Sequence, residues 1–415
     1  MNIHFIGIRG VSMARLADFC RRSGASVSGS DKTLSGHSAD NVRGADLVVY
    51  TGAVGADNPE RAEAARLHIP TLSRAELLGR IAAEFPCSVG VAGCHGKTTT
   101  TALIGHALTP PAPEVHVGGD CAFPAGSGIF VTEACEYQRS FLQLKPSIAV
   151  VLNVALDHTD CYRDIDDAYA AFYAFAASAG KRIVNGDDRY CRMLPDAVTF
   201  GLNERCTYRA ADVRTRGGLS FDLLVRGRYV LTARLPLVGR HNVYNALAAF
   251  AVADTLGVPP ARALLGMCAF HGVGRRFERV GTACGAAVYT DYAHHPDEIA
   301  ATIAAAREQT DGRLIAVFEP HTYTRTQAFL SGFVDVLAAA DEVALAPVYA
   351  AREEPIPGVC SSAIGLGLQR RGCRAAVFDT YCALNDYVRS IARPNDLILY
   401  LGAGSIDTAA QNLCE

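Results

Sequence analysis

Between Ser88 and Thr101 the chain reads Ser-Val-Gly-Val-Ala-Gly-Cys-His-Gly-Lys-Thr-Thr-Thr-Thr, an apolar run that breaks into glycines and resumes as a threonine-rich segment. A buried strand, a tight glycine loop and a helix start, in that order, make a cradle for a chain of phosphates. Backbone N–H groups through Gly93, Cys94, His95, Gly96 and Lys97 would point at the phosphates, the Lys97 ammonium would reach the terminal ones, and a hydroxyl of Thr98 or Thr99 could ligate Mg²⁺. The strict P-loop pattern is not met, because its first glycine would fall on Val91. The plainer alternative is a strand, turn and helix whose glycines serve turn geometry alone.

A chain of 415 residues, 50% of them hydrophobic, exceeds what one core can organise, so several domains are expected. The formal charge of -3 is spread over mixed signs, which argues against a nucleic-acid-binding stripe or a polybasic membrane anchor. No apolar run approaches the ~20 residues of a membrane span, and Met1 to Ile6 enters structure at once, so no signal peptide and a cytoplasmic location are expected. The 14 cysteines lack paired spacing and read as reduced, mostly buried thiols. Cys94, inside the loop, is the expected exception, exposed and open to oxidation.

Taken in order, the chain alternates strands and helices. Asn2 to Gly7 is strand-like and is followed by Gly-Ile-Arg-Gly-Val-Ser-Met and an amphipathic segment from Val11 to Arg22. Gly7 and Gly10 match the first part of a dinucleotide fingerprint without its third glycine, and helix-strand packing alone would also explain them. Further strands are expected at Ala25–Ser30, ending at Asp31, and at Ala45–Thr51. Beyond the loop, Gly128–Glu133 and Ser147–Asn153 end in polar groups, Glu133 and Glu136 after the first and Asp157-His158 after the second. A carboxylate and an imidazole beside a phosphate loop suit a divalent ion, although a packed histidine remains the alternative for His158.

Residues 205–238 alternate in the antiparallel manner, with turns at Gly217-Gly218 and Arg226-Gly227. An alanine-rich helix then places Asn242 and Asn245 one turn apart, where they could read an adenine or hold a phosphate, or Asn242 could simply cap the helix. Gly-Val-Gly-Arg-Arg-Phe-Glu at 272–278 reads as a hinge. Strands are expected at Ala286–Thr290, Arg313–Phe318, Glu342–Pro347, Arg374–Phe378 and Asp396–Leu401, with helices at Asp297–Gln309 and Thr326–Ala340. Their loops Asp-Tyr-Ala-His-His-Pro (291–296) and Glu-Pro-His-Thr-Tyr-Thr-Arg (319–325) are notably polar.

Together these motifs, with Glu-Ala-Cys-Glu-Tyr, Asn-Val-Ala-Leu-Asp-His, Gly-Arg-His-Asn-Val-Tyr-Asn, Gly-Arg-Arg-Phe-Glu and the closing Leu-Gly-Ala-Gly-Ser-Ile, resemble the Mur ligases along essentially the whole chain. Pro-His-Thr-Tyr-Thr-Arg-Thr is similar to the alanine-adding branch. Ser12 stands where the family usually has glycine, and Cys94 where it usually has threonine. The resemblance implies an α/β protein of three domains. These are a Rossmann-like N-terminal domain (1–85) for a UDP-sugar, a central P-loop ATPase-type domain with added antiparallel strands (86–272), and a Rossmann-like C-terminal domain (273–415) for the amino acid.

The implied reaction is ATP- and Mg²⁺-dependent joining of L-alanine to UDP-N-acetylmuramate through an acyl phosphate, in peptidoglycan precursor synthesis, by a monomer or homodimer. Two rivals stand beside it: a ligase attaching a recycled tripeptide to the same sugar nucleotide, and a P-loop regulatory ATPase that makes no product. By resemblance Gly7, Arg9, Gly10, Val11, Ser12 and Asp31 bind the sugar nucleotide. Thr98, Glu133 and His158 hold metal. Asn242 and Asn245 flank the base, and Arg276 and Asp291 contact phosphate and ribose. His294, His321 and Arg325 position alanine; a solvated charge at a helix start is the lesser alternative for Arg325, and a cap or packing residue the equal one for His321.

Overall fold

Short apolar runs bounded by glycine, proline or charge become parallel strands, because such runs are buried on both faces once helices cover the sheet. The computed structural model describes residues 1–34, 36–118, 128–158, 161–351 and 353–414. Three sheets carry the architecture. In the first, β1 (Asn2–Ile6), β2 (Ser26–Ser30), β3 (Leu47–Tyr50) and β4 (Thr71–Ser73) lie parallel in the order β2-β1-β3-β4. The helix Val11–Arg22 follows β1 over the range its periodicity predicts, burying Met13, Leu16, Ala17 and Cys20. Ser73 and Glu76 form a reciprocal capping box that starts the helix Arg74–Glu84.

Among the described residues the second sheet has nine strands. They are β5 (Cys87–Ala92), β6 (Glu114–His116), β7 (Ile129–Glu133), β8 (Ile148–Val151), β9 (Lys181–Asn185), β10 (Val198–Gly201), β11 (Tyr208–Arg214), β12 (Leu219–Val225) and β13 (Arg228–Leu235). Their order is β13-β12-β11-β10-β9-β8-β5-β7-β6. Strand β5 therefore lies between β8 and β7, and the polar residues expected at three separate strand ends emerge side by side. Arg226 and Gly227 both take positive φ (50° and 75°), as a two-residue turn between twisted strands requires.

The third sheet consists of β14 (Glu278–Ala283), β15 (Ala286–Asp291), β16 (Leu314–Phe318), β17 (Glu342–Leu345), β18 (Ala375–Val377) and β19 (Leu397–Leu401), in the order β14-β15-β19-β16-β17-β18. All its pairings are parallel except the β14–β15 hairpin. That hairpin was not expected. The segment read as a hinge runs straight into β14, with Arg275 and Phe277 both at positive φ. The helix expected over Thr326–Ala340 is instead two, Tyr323–Ala328 and Leu330–Leu337, broken at Phe329 where φ is -112° and ψ 20°.

The chain divides into two compact units, one of Met1–Ala210, Leu223–Leu231 and Tyr244–Phe270, the other of Ala211–Asp222, Thr232–Val243 and His271–Glu415. In the first, buried side chains from both of the first two sheets share one apolar cluster running from Ile3 to Leu194, while Ile6, Val42, Val48 and Ala64 form a smaller separate one. In the second, the two faces of the third sheet carry separate clusters, Leu314, Ala316, Phe318 and Leu399 on one and Ile315, Val317, Ile398 and Tyr400 on the other. Alternation along β16 and β19 produces this split directly. Among the described residues no helix is long and apolar enough to cross a membrane.

Candidate functional site

In a parallel sheet ligands collect beyond the carboxyl ends of strands, at the point where the strand order reverses. In the first unit that point is β5. Its last residue leads into Gly93, whose φ of 149° suits glycine and where a Cβ would lie 2.9 Å from Leu152 Cβ. Gly96, at φ 85°, caps the helix Lys97–Ala107, and a Cβ there would meet Asn245 Oδ1 at 2.7 Å. Between them the loop is clamped: His95 N–H donates to Asn153 Oδ1 (2.9 Å), and Asn153 Nδ2 donates back to the His95 carbonyl (3.0 Å). A side-chain amide at the end of β8 thus fixes the loop after β5. Thr98 and Thr99, in the first turn, are partly exposed.

Lys97 turns back over this loop. Its Nζ donates to the carbonyls of Gly93 (2.5 Å) and Cys94 (3.1 Å) and to Glu136 Oε1 (3.0 Å), and it lies 3.0 Å from Glu136 Oε2. Burial works against the ammonium charge, but the Glu136 carboxylate outweighs it and holds Lys97 above the usual lysine range. Glu136 is itself held by its main chain, whose carbonyl accepts from the Tyr162 hydroxyl at 2.6 Å. Its Oε2 is buried and, beyond the ion pair with the Lys97 ammonium, makes no hydrogen bond among the described residues.

Asp157 and His158 lie beside this carboxylate, His158 Nε2 standing 3.8 Å from Glu136 Oε1 and 3.8 Å from Asp157 Oδ2. Glu136, Asp157 and His158 each offer one ligand atom, all within 4.8 Å of one another. His158 adopts φ 53°, its N–H donates to Asp157 Oδ1 (2.7 Å), and its ring packs 4.8 Å from that of Tyr137. Two carboxylates and an imidazole so grouped fit a small divalent cation. Of the residues expected at the metal, His158 is in this group. Glu133 accepts from the Gly118 N–H (2.7 Å). Glu136 and Asp157 were visible at the same strand ends, but nothing in their spacing said which acid would face Lys97.

Cys94 corrects an expectation. It is 7% exposed, donates through Sγ to the Ala155 carbonyl (3.2 Å), and burial pushes its thiol well above the ordinary range, so it is neither exposed nor a thiolate. Asn245 has a structural partner, accepting from Thr100 Oγ1 at 3.0 Å, which ties its helix to the one after the loop. Asn242 donates to the Val238 carbonyl at 2.7 Å.

At the end of β1, Gly7 takes φ 84°, its N–H donating to the Ser30 carbonyl (2.8 Å), while Gly10 N–H donates to Gly7 (3.2 Å). Arg9 N–H donates to Asp31 Oδ2 (3.2 Å), and Thr33 donates twice to Oδ1. Desolvation opposes these bonds, which still keep Asp31 below its usual pKa. Val11 is 51% exposed at the helix start. Ser12, the departure from the family pattern, is engaged: its Oγ lies 2.8 Å from His116 Nε2 and accepts from Arg74 at 3.2 Å. Burial, reinforced by Arg74 and Arg15, pushes His116 down to about 3, so the ring stays neutral.

In the second unit the ends of β15, β19 and β16 lie side by side. Asp291, buried at the end of β15, accepts from Phe277 N–H (2.8 Å) and Ala293 N–H (2.7 Å), and desolvation raises its pKa despite Arg276. Arg276 stands 3.9 Å from Glu298 and over the Tyr292 ring. His294 Nδ1 is 2.9 Å from the Tyr292 carbonyl, which can only accept, so the proton sits on Nδ1 and the lone pair on Nε2. Its ring meets that of His321 edge-on at 5.7 Å, and His321 stacks on Tyr349 at 5.6 Å.

Arg325 acts electrostatically on both histidines, so the three residues expected to position the amino acid are brought together. Thr322, at φ 64°, caps the Arg325 helix, a strained backbone held between β16 and the helix. Tyr349 and Glu319 were missed. Glu319 accepts from Gly404 N–H (3.0 Å) and from the Tyr381 hydroxyl, pinning the loop after β19 to the one after β16.

Comparison with known proteins agrees with this geometry. The Mur ligase family catalytic domain matches residues 2–86, the Mur ligase middle domain 91–253, and the Mur ligase glutamate ligase domain 275–404. The UDP-N-acetylmuramate--L-alanine ligase of Agathobacter rectalis is 38% identical over 100% of this chain and 97% of its own length. That of Caldanaerobacter subterraneus subsp. tengcongensis is 39% identical over the same shares. The crystal structure of UDP-N-acetylmuramate-alanine ligase MurC from Thermotoga maritima superposes with a TM-score of 0.85 at 28% identity, covering 100% of this chain and 98% of that one. With its sequence matched from end to end, this chain belongs to the Mur ligase family.

Proposed function

We propose that the protein joins L-alanine to the carboxylate of UDP-N-acetylmuramate at the expense of ATP, a cytoplasmic step of peptidoglycan precursor synthesis. The observation that carries this reading is the convergence of Lys97, Glu136, Asp157 and His158 at the ends of β5, β7 and β8. A carboxylate resists attack by an amine, so one of its oxygens first takes the γ-phosphoryl group of ATP and ADP leaves. The amine then attacks the carbonyl carbon, phosphate departs, and the amine loses a proton.

Residues 1–85 take the UDP-sugar through Gly7, Arg9, Gly10, Val11, Ser12 and Asp31. Residues 86–272 take ATP, with Lys97 leaving Glu136 to face the β- and γ-phosphates alongside the N–H groups of the loop. Glu136, Asp157 and His158 would hold Mg²⁺, with Thr98 and Glu133 as further ligands. Bound there, the ion would neutralise phosphate charge and let two anions approach. Asn242 and Asn245 flank the base, and Arg276 and Asp291 serve phosphate and ribose. Residues 273–415 take alanine: Arg325 pairs its carboxylate, His321 walls the pocket, and His294, neutral with Nε2 free of a proton, accepts the amine proton.

The test is phosphate release with ATP, UDP-N-acetylmuramate and either alanine or a tripeptide. Release with alanine is expected. Release with the tripeptide alone would assign the chain to recycling, and release without any carboxylate would make it a regulatory ATPase. Metal titration checks the ligands separately. Glu133→Ala and His158→Ala are each expected to raise the Mg²⁺ concentration for half-maximal rate by about 10- to 100-fold, and an unchanged titration removes that residue from the metal.

A further inference from the structure

Beneath the first sheet lies a fully buried carboxylate that none of the steps above employs. Glu60 is 0% exposed and opens the helix Pro59–Arg66, yet its side chain turns inward. Oε2 accepts from Ser30 Oγ (2.7 Å) and from His37 Nδ1 (2.7 Å), Oε1 accepts from Asn41 Nδ2 (2.6 Å), and His4 Nε2 stands 3.4 Å from Oε1. Desolvation opposes the charge, but these donors keep the carboxyl below its usual range. A buried carboxylate with its lone pairs met by this many donors is costly to assemble and strongly directional.

The partners share a sequence logic. Ser30 immediately precedes Asp31, the acidic residue at the end of β2, and His37 and Asn41 follow it on the return of the chain. Glu60 therefore grips both flanks of Asp31 without touching it. Asp31 itself stays partly exposed, its Oδ2 accepting from Arg9 of the glycine turn and its Oδ1 from Thr33. We propose that Glu60 is a positioning residue for UDP-sugar binding, fixing the placement of Asp31 against the Gly7–Gly10 turn through Ser30, His37 and Asn41. This rests on the assignment of the sugar nucleotide to residues 1–85.

The tethering is mechanical. The Asp31 carboxylate must keep its 3.2 Å contact with the Arg9 N–H to within about half an ångström to present its remaining lone pairs to a ribose or a base, and a turn held at one end only would not keep it there. Glu60 supplies the second hold, from a helix that belongs to neither β1 nor β2.

The test uses the full-length enzyme and separates the substrates. Glu60→Gln keeps the shape but replaces an acceptor with an amide donor facing Ser30, His37 or Asn41. The expected result is a rise of about tenfold or more in KM for UDP-N-acetylmuramate, with KM for ATP and for alanine unchanged and kcat at saturation within about twofold. Equilibrium binding of the sugar nucleotide should weaken by the same factor. Equal loss across all three substrates, or an unchanged KM for the sugar nucleotide, overturns the proposal.

Asp31→Ala is the companion. If it leaves sugar-nucleotide binding intact, the domain assignment fails; if it weakens binding while Glu60→Gln does not, the positioning role alone fails. Should Glu60→Gln not fold, the double substitution Ser30→Ala, Asn41→Ala removes two of the tethers and leaves the carboxylate to His37 and His4. The same selective KM rise is then expected, and its absence overturns the proposal.

Discussion

Replacing Lys97 by alanine is expected to lower ligation by at least about 10³-fold while leaving the affinity for UDP-N-acetylmuramate within about twofold, because one preorganised charge on a transferring phosphoryl group contributes on this scale. The substitution has a second consequence that must be separated from the first. Among the described residues Lys97 is the one cation within hydrogen-bond distance of Glu136, and the carboxylate is 3% exposed. Removing one partner of such a pair leaves a buried charge uncompensated, at a cost of about 3–5 kcal/mol. Lys97→Ala should therefore be both inactive and less stable. Adding Glu136→Gln removes the stranded charge, so the double variant is expected to regain most of the lost stability in a denaturant titration while remaining inactive. Calorimetric titration of the sugar nucleotide, on protein shown to be folded by circular dichroism, completes the experiment. Equal loss of sugar-nucleotide binding would show that the loop and residues 1–85 do not act separately, and recovered ligation in the double variant would remove Lys97 from the chemistry.

Local order was legible wherever one short stretch decided it. The helix Val11–Arg22 follows from a single apolar stripe, and the strand, loop and helix around Gly93–Lys97 from glycines whose φ values no other residue adopts comfortably. The ends of β7 and β8 were legible for the same reason, since polar residues after an apolar run mark where a buried strand surfaces. What was not legible depended on neighbours distant in sequence. Glu133 and Glu136 are three apart, and only the placement of Tyr162 and Lys97 decides that the second faces the ammonium while the first takes a backbone N–H from Gly118.

Cys94 reads as exposed because phosphate loops face solvent, yet the chain after β8 folds over its sulfur through Ala155. Strand β14 escaped notice because Glu278 to Thr282 is partly or fully exposed and lacks the apolar alternation of a covered strand. Glu60 is the extreme case. Its sequence context, Asn-Pro-Glu at a helix start, describes a surface cap, and its burial is set by His4, Ser30, His37 and Asn41, none of them adjacent to it.

For the amino-acid side, Arg325→Ala is expected to raise KM for alanine by roughly 10- to 150-fold, corresponding to loss of a charged hydrogen bond of about 1.5–3 kcal/mol, with KM for ATP and sugar nucleotide unchanged. The pH dependence supplies an independent reading. Burial lowers His321 to about 4, with His294 and Arg325 contributing in the same direction, and burial likewise lowers His294. Both rings are thus neutral at pH 7, which is what a wall beside a cationic Arg325 and an acceptor for an amine proton each require. An imidazole whose folded pKa lies below its unfolded value of about 6.5 binds fewer protons when folded. Its contribution to stability is present above pH 6.5 and is lost as the pH falls toward 4. Removing the Arg325 charge withdraws one of the forces holding His321 down, so its pKa should rise and the loss of stability between pH 6.5 and 4 should become shallower than in the unaltered protein. Denaturant midpoints measured across that range, together with histidine ring titration by NMR, test the shift directly. An unchanged KM for alanine would place the Arg325 guanidinium in solvent, and an unmoved His321 titration would separate it from the histidine pair that its charge is here taken to govern.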